Sequence, residues 1–204
     1  MTFRLTADQR GIRDQILRIC ATFDDDYWLD RDRNGGFPHD LHRAMAEGGW
    51  LGIAMPEAVG GAGLGITEAT ILMQAIAESG AGASGASAIH MNIFGLNPVV
   101  KFGTDEQRAR MLGPLIAGDE KACFAVTEPT TGLDTTRLKT MAARQGERYV
   151  VHGQKVWIST AQVADKMLLL ARTTRREDVS SPTEGLSVFY TDLDRNFVDV
   201  REIE

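Results

Sequence analysis

Only two cysteines, Cys20 and Cys123, occur in 204 residues, far apart and each among apolar neighbours. That excludes a disulfide framework and a cysteine-based metal motif, and both thiols are expected to be buried. Basic residues are not concentrated anywhere: 22 Lys and Arg face 28 Asp and Glu, for a formal charge of -6. The nearest approach to a basic cluster, Arg172, Arg175 and Arg176, runs directly into Glu177 and Asp178. A nucleic-acid surface is therefore excluded, and the arginine group reads as a solvated loop. No apolar run has the length of a membrane helix, and Met1-Thr2-Phe3-Arg4-Leu5 shows no long apolar stretch or small-residue cleavage site. The expectation is a cytoplasmic protein without a membrane span. The Gly60-Gly61-Ala62-Gly63 cluster lacks the GxGxxG register of a Rossmann nucleotide site.

What remains is an ordinary globular composition, 43% hydrophobic and 25% charged, enough for one sizeable core or two modest ones. Thr6-Ala7-Asp8-Gln9 has the spacing of a capping box, and Ile12, Ile16, Ile19 and Phe23 follow at helical intervals. The run Asp24-Asp25-Asp26 reads as the solvated end of that helix, since no ordered cation-ligand pattern follows it. Pro38 opens a second helix with Leu41, Ala44 and Met45 inward, ended by Gly48-Gly49. His39 and His42 lie three apart on it with no third ligand near, which favours surface histidines over a metal site. Gly60-Gly61-Ala62-Gly63 reads as a structural turn. Thr67 is placed to cap a third helix bearing Ala69, Leu72, Met73 and Ile76, and the small residues of 80–88 read as a loop feeding a closely packed helix. Thr104-Asp105-Glu106-Gln107 is a second capping box, opening a helix with Met111, Leu112, Leu115 and Ile116 inward.

After Asp119 the period changes. Short apolar runs at 122–127, 139–143, 149–152, 155–160, 166–171 and 186–191, punctuated by Gly146, Gly153 and Pro182, form an antiparallel β pattern. The fold class is α+β: an amino-terminal all-α helical domain over 1–118, then an antiparallel, barrel-like β domain over 119–204.

Thr127 and Ser159 stand at the ends of two of these runs, each beside bulky neighbours. Such a pair can offer hydrogen bonds to the edge of a flat polar ring while its neighbours cover the faces. Phe124 to Asp134, with the turn Thr127-Glu128-Pro129, resembles the signature of the acyl-CoA dehydrogenases, and Gly153-Gln154-Lys155-Val156-Trp157-Ile158-Ser159 resembles their second signature. Met55-Pro56-Glu57, Gly60 to Leu64 and Phe102 to Gln107 extend the similarity over most of the chain.

The resemblance implies an FAD-binding oxidoreductase carrying out α,β-dehydrogenation of an acyl-CoA thioester, with hydride passing to flavin N5. Thr127 and Ser159 match positions bonding the flavin, Phe124, Val126 and Trp157 match positions flanking it, and Gly132 matches one near the pyrophosphate. Leu133 stands where the common signature has serine, so any contact there would come from its backbone amide. Met91, Phe94 and Gly95 fall on the helix that lines the acyl pocket in the family, with core packing as the competing reading. The family's catalytic base is a carboxylate from a C-terminal helical domain that this sequence does not reach, so no catalytic base is assigned within the chain, Glu128 included. The expected β domain is then incomplete, and uncovered apolar faces imply a homo-oligomer or a partner subunit; the complete enzyme would also need an electron-transfer acceptor. The alternatives are a flavin monooxygenase or nitroalkane-oxidase-like relative and a non-catalytic interaction subunit keeping only the fold.

Overall fold

In the computed structural model, which describes residues 4–203, Thr6 and Gln9 form the reciprocal cap read from their spacing. The Gln9 amide donates to Thr6 Oγ1 at 3.2 Å and the Thr6 amide to Gln9 Oε1 at 3.0 Å, opening α1 (Ala7–Cys20). Residues 1–3 and 204 lie outside the described residues, so the reading of the first three positions is not addressed. Two units are resolved by contact, Met1–Glu120 and Lys121–Glu204.

The aspartate run does not simply end α1. Asp24 caps a further helix, α2 (Asp25–Asn34), accepting the Tyr27 amide at 3.0 Å, with Asp25 and Asp26 in its first turn. Carboxylates at that end complement the positive pole of the helix, which is why an acidic run can open a helix as well as close one. Asp24→Ala should therefore cost about 1 kcal/mol in chemical denaturation.

Pro38 precedes α3 (His39–Glu47), but His42 is buried at 3% exposure beneath the Phe37 ring rather than on the surface. The glycine turn is structural: the Ala62, Gly63 and Leu64 amides bond to Gly52, Met55 and Ile53 carbonyls, and a Cβ on Gly61 would strike the Met55 carbonyl. Thr67 is not the cap of α4 (Ile66–Ile76). Gly65 holds that position, its amide donating to Glu68 at 3.2 Å.

The small-residue stretch proves helical. After a π-type turn kinked at Gly80, with φ of 98°, α5 (Gly82–His90) begins, and a Cβ at Gly85 would collide with Ala81 and come within 3.1 Å of Trp28. Close approach of helices, not flexibility, explains the glycine. A second π-type turn, Met91–Gly95, leads to α6 (Asn97–Phe102) and α7 (Asp105–Ala117), which opens on the second capping box. Ile16, Leu41, Met45, Leu72, Ile76 and Ile89 are fully buried in the core that α1, α3, α4 and α5 share.

In the second unit the strands are β1 (Ala122–Ala125), β2 (Met141–Gln145), β3 (Arg148–His152), β4 (Lys166–Arg172) and β5 (Leu186–Asp192). The sheet is mixed, not wholly antiparallel as the turn pattern suggested. β1 runs parallel to β4, pairing Phe124 with Leu168, while β5 lies antiparallel to β4 and β3 antiparallel to β2. β2 meets β4 only where Met141 faces Arg172. Apolar runs report strands but not their direction, because parallel partners can be far apart in sequence. The run 155–160 is no strand; it is an irregular extended segment ending in a turn.

Candidate functional site

The turn after β1 is built around one carboxylate. Glu128 is 5% exposed, and its Oε2 accepts the Lys139 amide at 2.6 Å. Its Oε1 accepts the Thr140 amide at 2.9 Å and the Lys155 ammonium at 3.0 Å. The Glu128 and Thr131 main chains bond reciprocally at 2.9 and 3.0 Å, closing the turn. Burial pushes the Glu128 carboxyl up, but the donors from Thr140, Lys139 and Lys155 outweigh it and hold the group below its ordinary value. Burial pulls the Lys155 ammonium below its ordinary value, against the attraction of Glu128. A carboxylate so fully engaged is a structural anchor and not a free base.

That anchor brings the two sequence motifs together. Lys155 donates also to the Val126 carbonyl at 2.9 Å, and the Val156 amide donates to the Thr127 carbonyl at 2.9 Å. The segment after β3 is thus sewn to the segment after β1. Ile158 packs inward against the sheet core with Ala125 and Leu169, while its neighbours Trp157 and Ser159 are exposed. Phe124, Val126 and Thr127 are half-buried, and Gly132 and Leu133 are exposed on the following loop.

Trp157 is the least ordinary residue of this surface. It is 69% exposed, so it is no part of the sheet core, and its φ is 61°, a left-handed conformation that bulky side chains rarely adopt. Such strain persists where surrounding bonds over-determine the backbone, here the Lys155 and Val156 contacts on one side and half-buried Ile158, packed on the sheet core, on the other. Among the described residues, no side-chain hydrogen bond engages the Thr127 or Ser159 hydroxyl. The result is a ledge with two uncommitted hydroxyls and an exposed aromatic ring.

The profile described as acyl-CoA dehydrogenase, N-terminal domain, matches residues 6–119, and that for the acyl-CoA dehydrogenase middle domain matches 123–204. The chain belongs to the acyl-CoA dehydrogenase family. Benzylmalonyl-CoA dehydrogenase of Aromatoleum aromaticum is 34% identical over 84% of this chain and 45% of its own length. The 3-(aryl)acrylate reductase of Clostridium sporogenes is 33% identical over 79% and 41%. A solved structure described under the electron transferring flavoprotein of Acidaminococcus fermentans superposes with a TM-score of 0.84 at 28% identity, covering 94% of this chain and 49% of that one. The acyl-CoA dehydrogenase from Geobacillus kaustophilus, at 22% identity and a TM-score of 0.83, shares the fold over 95% and 50%. The chain spans about half the length of the curated relatives it matches.

Of the residues read as an acyl pocket, all in the helical unit, Met91 and Gly95 are buried and Phe94 is 52% exposed. A Cβ on Gly95 would collide with the Met91 terminal methyl, so the glycine makes room for that thioether. Phe94 instead lies against the His90 ring at 5.1 Å. The π-type turn is pinned by buried Asn92, which donates to the Leu115 carbonyl at 3.1 Å.

Both thiols are buried, and burial pushes Cys123 up to about 11, so it stays protonated at neutral pH. No group of three metal-ligating side chains exists among the described residues, and no helix there is long and apolar enough to cross a membrane. Sequence reasoning missed the Glu128–Lys155 pair as the organiser of the site. A charge set inside each apolar motif was the available signal.

Proposed function

We propose that these 204 residues form the helical and middle portions of an FAD-dependent oxidoreductase acting on an acyl-CoA thioester, with the proton-abstracting carboxylate supplied from outside them. The observation that carries this reading is the ledge: Thr127 and Ser159 hydroxyls uncommitted, and Trp157 exposed in a strained backbone beside them. The donor set suits the group. A flavin presents a polar edge needing hydrogen bonds and apolar faces needing cover, and hydroxyls beside Trp157 and half-buried Phe124 and Val126 supply both. Gly132, where a Cβ would meet nothing within 4 Å, leaves open backbone on the phosphate side. Solved structures of the same fold, one described as an FAD complex and one as an FADH2 complex, are consistent with it.

When bound, FAD would supply the hydride acceptor. This chain's own residues orient it: Thr127 and Ser159 fix the ring edge, Trp157 screens one side from water, and Lys155 holds the two segments in register. Glu128 takes no proton, because both its carboxylate oxygens are engaged, by the Lys139 and Thr140 amides and the Lys155 ammonium. An acyl-CoA substrate, an electron-transferring partner and assembly with a second subunit are the readings that the names of the relatives support.

The test is a visible-absorption titration of the purified chain with FAD. A perturbed flavin spectrum that saturates is expected, with Thr127→Val and Ser159→Ala each weakening binding about 5- to 10-fold, the cost of one hydrogen bond. A spectrum identical to free FAD at all ratios would overturn the reading in favour of a non-catalytic subunit that keeps only the fold.

A further inference from the structure

Arg172, at the end of β4, is not the solvated arginine its sequence neighbours suggest. It is 3% exposed, and among the described residues no carboxylate meets it. Its guanidinium instead donates to three main-chain carbonyls: Nη1 to Glu184 at 3.1 Å, and Nη2 to Thr136 at 2.5 Å and Pro182 at 3.0 Å. Nε is buried without a partner among the described residues. Arg175 and Arg176, by contrast, are exposed. Burying a guanidinium against carbonyls alone is costly, so the bonds it makes must fix something that packing does not.

What it fixes are two loops distant in sequence. Thr136 closes the loop that carries Gly132 and Leu133, in which Asp134 accepts the Thr136 amide at 3.2 Å and Thr131 Oγ1 donates to the Arg137 carbonyl at 3.3 Å. Pro182 and Glu184 belong to the loop before β5, where the Thr173 amide donates to Gly185 at 2.8 Å. The planar fork of arginine reaches carbonyls on both loops at once, which a lysine ammonium cannot reproduce in the same geometry.

We propose that Arg172 is a positioning residue: it couples the 180–185 loop to the 131–137 loop and thereby sets the phosphate-facing end of the flavin site. The proposal rests on the flavin reading above. Arg172 touches no reacting atom. It holds the Gly132 and Leu133 amides in place, and its buried positive charge favours an anionic group at that loop.

Arg172→Lys separates this role from general stability, because the charge is kept and the fork is lost. The expected result has three parts: FAD dissociation constant raised at least tenfold, the saturated flavin absorption envelope unchanged because Thr127 and Ser159 still hold the ring edge, and amide hydrogen exchange accelerated together at 132–137 and 180–185. Equal affinity in wild type and variant, or an altered saturated envelope, would overturn the proposal while leaving the flavin site standing. A wild-type chain that never perturbs the FAD spectrum would remove both. Should Arg172→Lys fail to fold, hydrogen exchange on the wild type decides: the two loops must open with a common denaturant dependence, and independent opening would sink the coupling.

Discussion

Glu128→Ala will lower the unfolding free energy by about 3–5 kcal/mol, the range for removing one partner of a buried ion pair. The loss has three sources. The Lys155 ammonium, its side chain 10% exposed, is left without its counter-ion, and the Lys139 and Thr140 amides lose their acceptor. Each orphaned buried donor adds desolvation that was previously offset. Lys155→Met should cost less, since its removal leaves Glu128 with two main-chain donors. The double variant Glu128→Ala/Lys155→Met should be more stable than the sum of the single losses, because no buried charge remains. Urea denaturation of the four proteins measures this, and a Glu128→Ala chain within 1 kcal/mol of wild type would contradict it. The pH dependence follows with its sign. Glu128 is held below its ordinary value in the fold, so its contribution is present above the unfolded carboxylate value, about 4.3, and is lost as pH falls through the lower folded value. At the alkaline end Lys155, also held low, is charged at a cost in the fold, and that cost is relieved as pH rises through its folded value. Wild type should therefore show an acid loss of stability that Glu128→Ala lacks.

The elements legible in the sequence are those whose signals are local. Thr6 with Gln9 and Thr104 with Gln107 announce helix starts by spacing alone, because both partners of the cap lie within one turn. The alternating apolar runs gave strand positions to within two residues at β3, β4 and β5. Strand direction was hidden, since the β1–β4 pairing joins residues 44 apart, such as Phe124 and Leu168. The aspartate run misled because a helix terminus and a helix start draw on the same polar residues, and only the Tyr27 amide on Asp24 decides between them. At the site, Thr127, Trp157 and Ser159 could be singled out as chemistry-bearing residue types. The groups that hold them could not. Glu128 and Lys155 meet across 27 residues and Arg172 reaches Thr136 across 36, and separations of that kind leave no periodic trace.

Gly153→Ala is expected to have the second largest effect, and it acts through space rather than through charge. Gly153 does not need a left-handed backbone; its requirement is that nothing project from its Cα. A Cβ there would collide with Thr140 Oγ1 and lie within 2.6 Å of Thr140 Cβ and Cγ2. Thr140 cannot retreat, being 2% exposed, with its amide bonded to Glu128 and its carbonyl accepting from the Arg172 amide at 2.8 Å. The strain must be relieved by moving the chain at 153, the entry to the segment that presents Lys155, Trp157 and Ser159. An overpacked buried contact of this kind costs about 1–3 kcal/mol, and here the displacement is directed at the ledge itself. The expected outcome is a loss of FAD binding larger than that of Ser159→Ala, accompanied by a lower denaturation midpoint. Thr140→Gly in the same chain should restore much of the flavin affinity by vacating the contested space, even though that second glycine lowers stability further. Affinity that recovers while stability falls is a pattern no general unfolding defect can produce. If Gly153→Ala binds FAD as wild type does, the segment from 153 to 159 does not form the flavin edge of this fold.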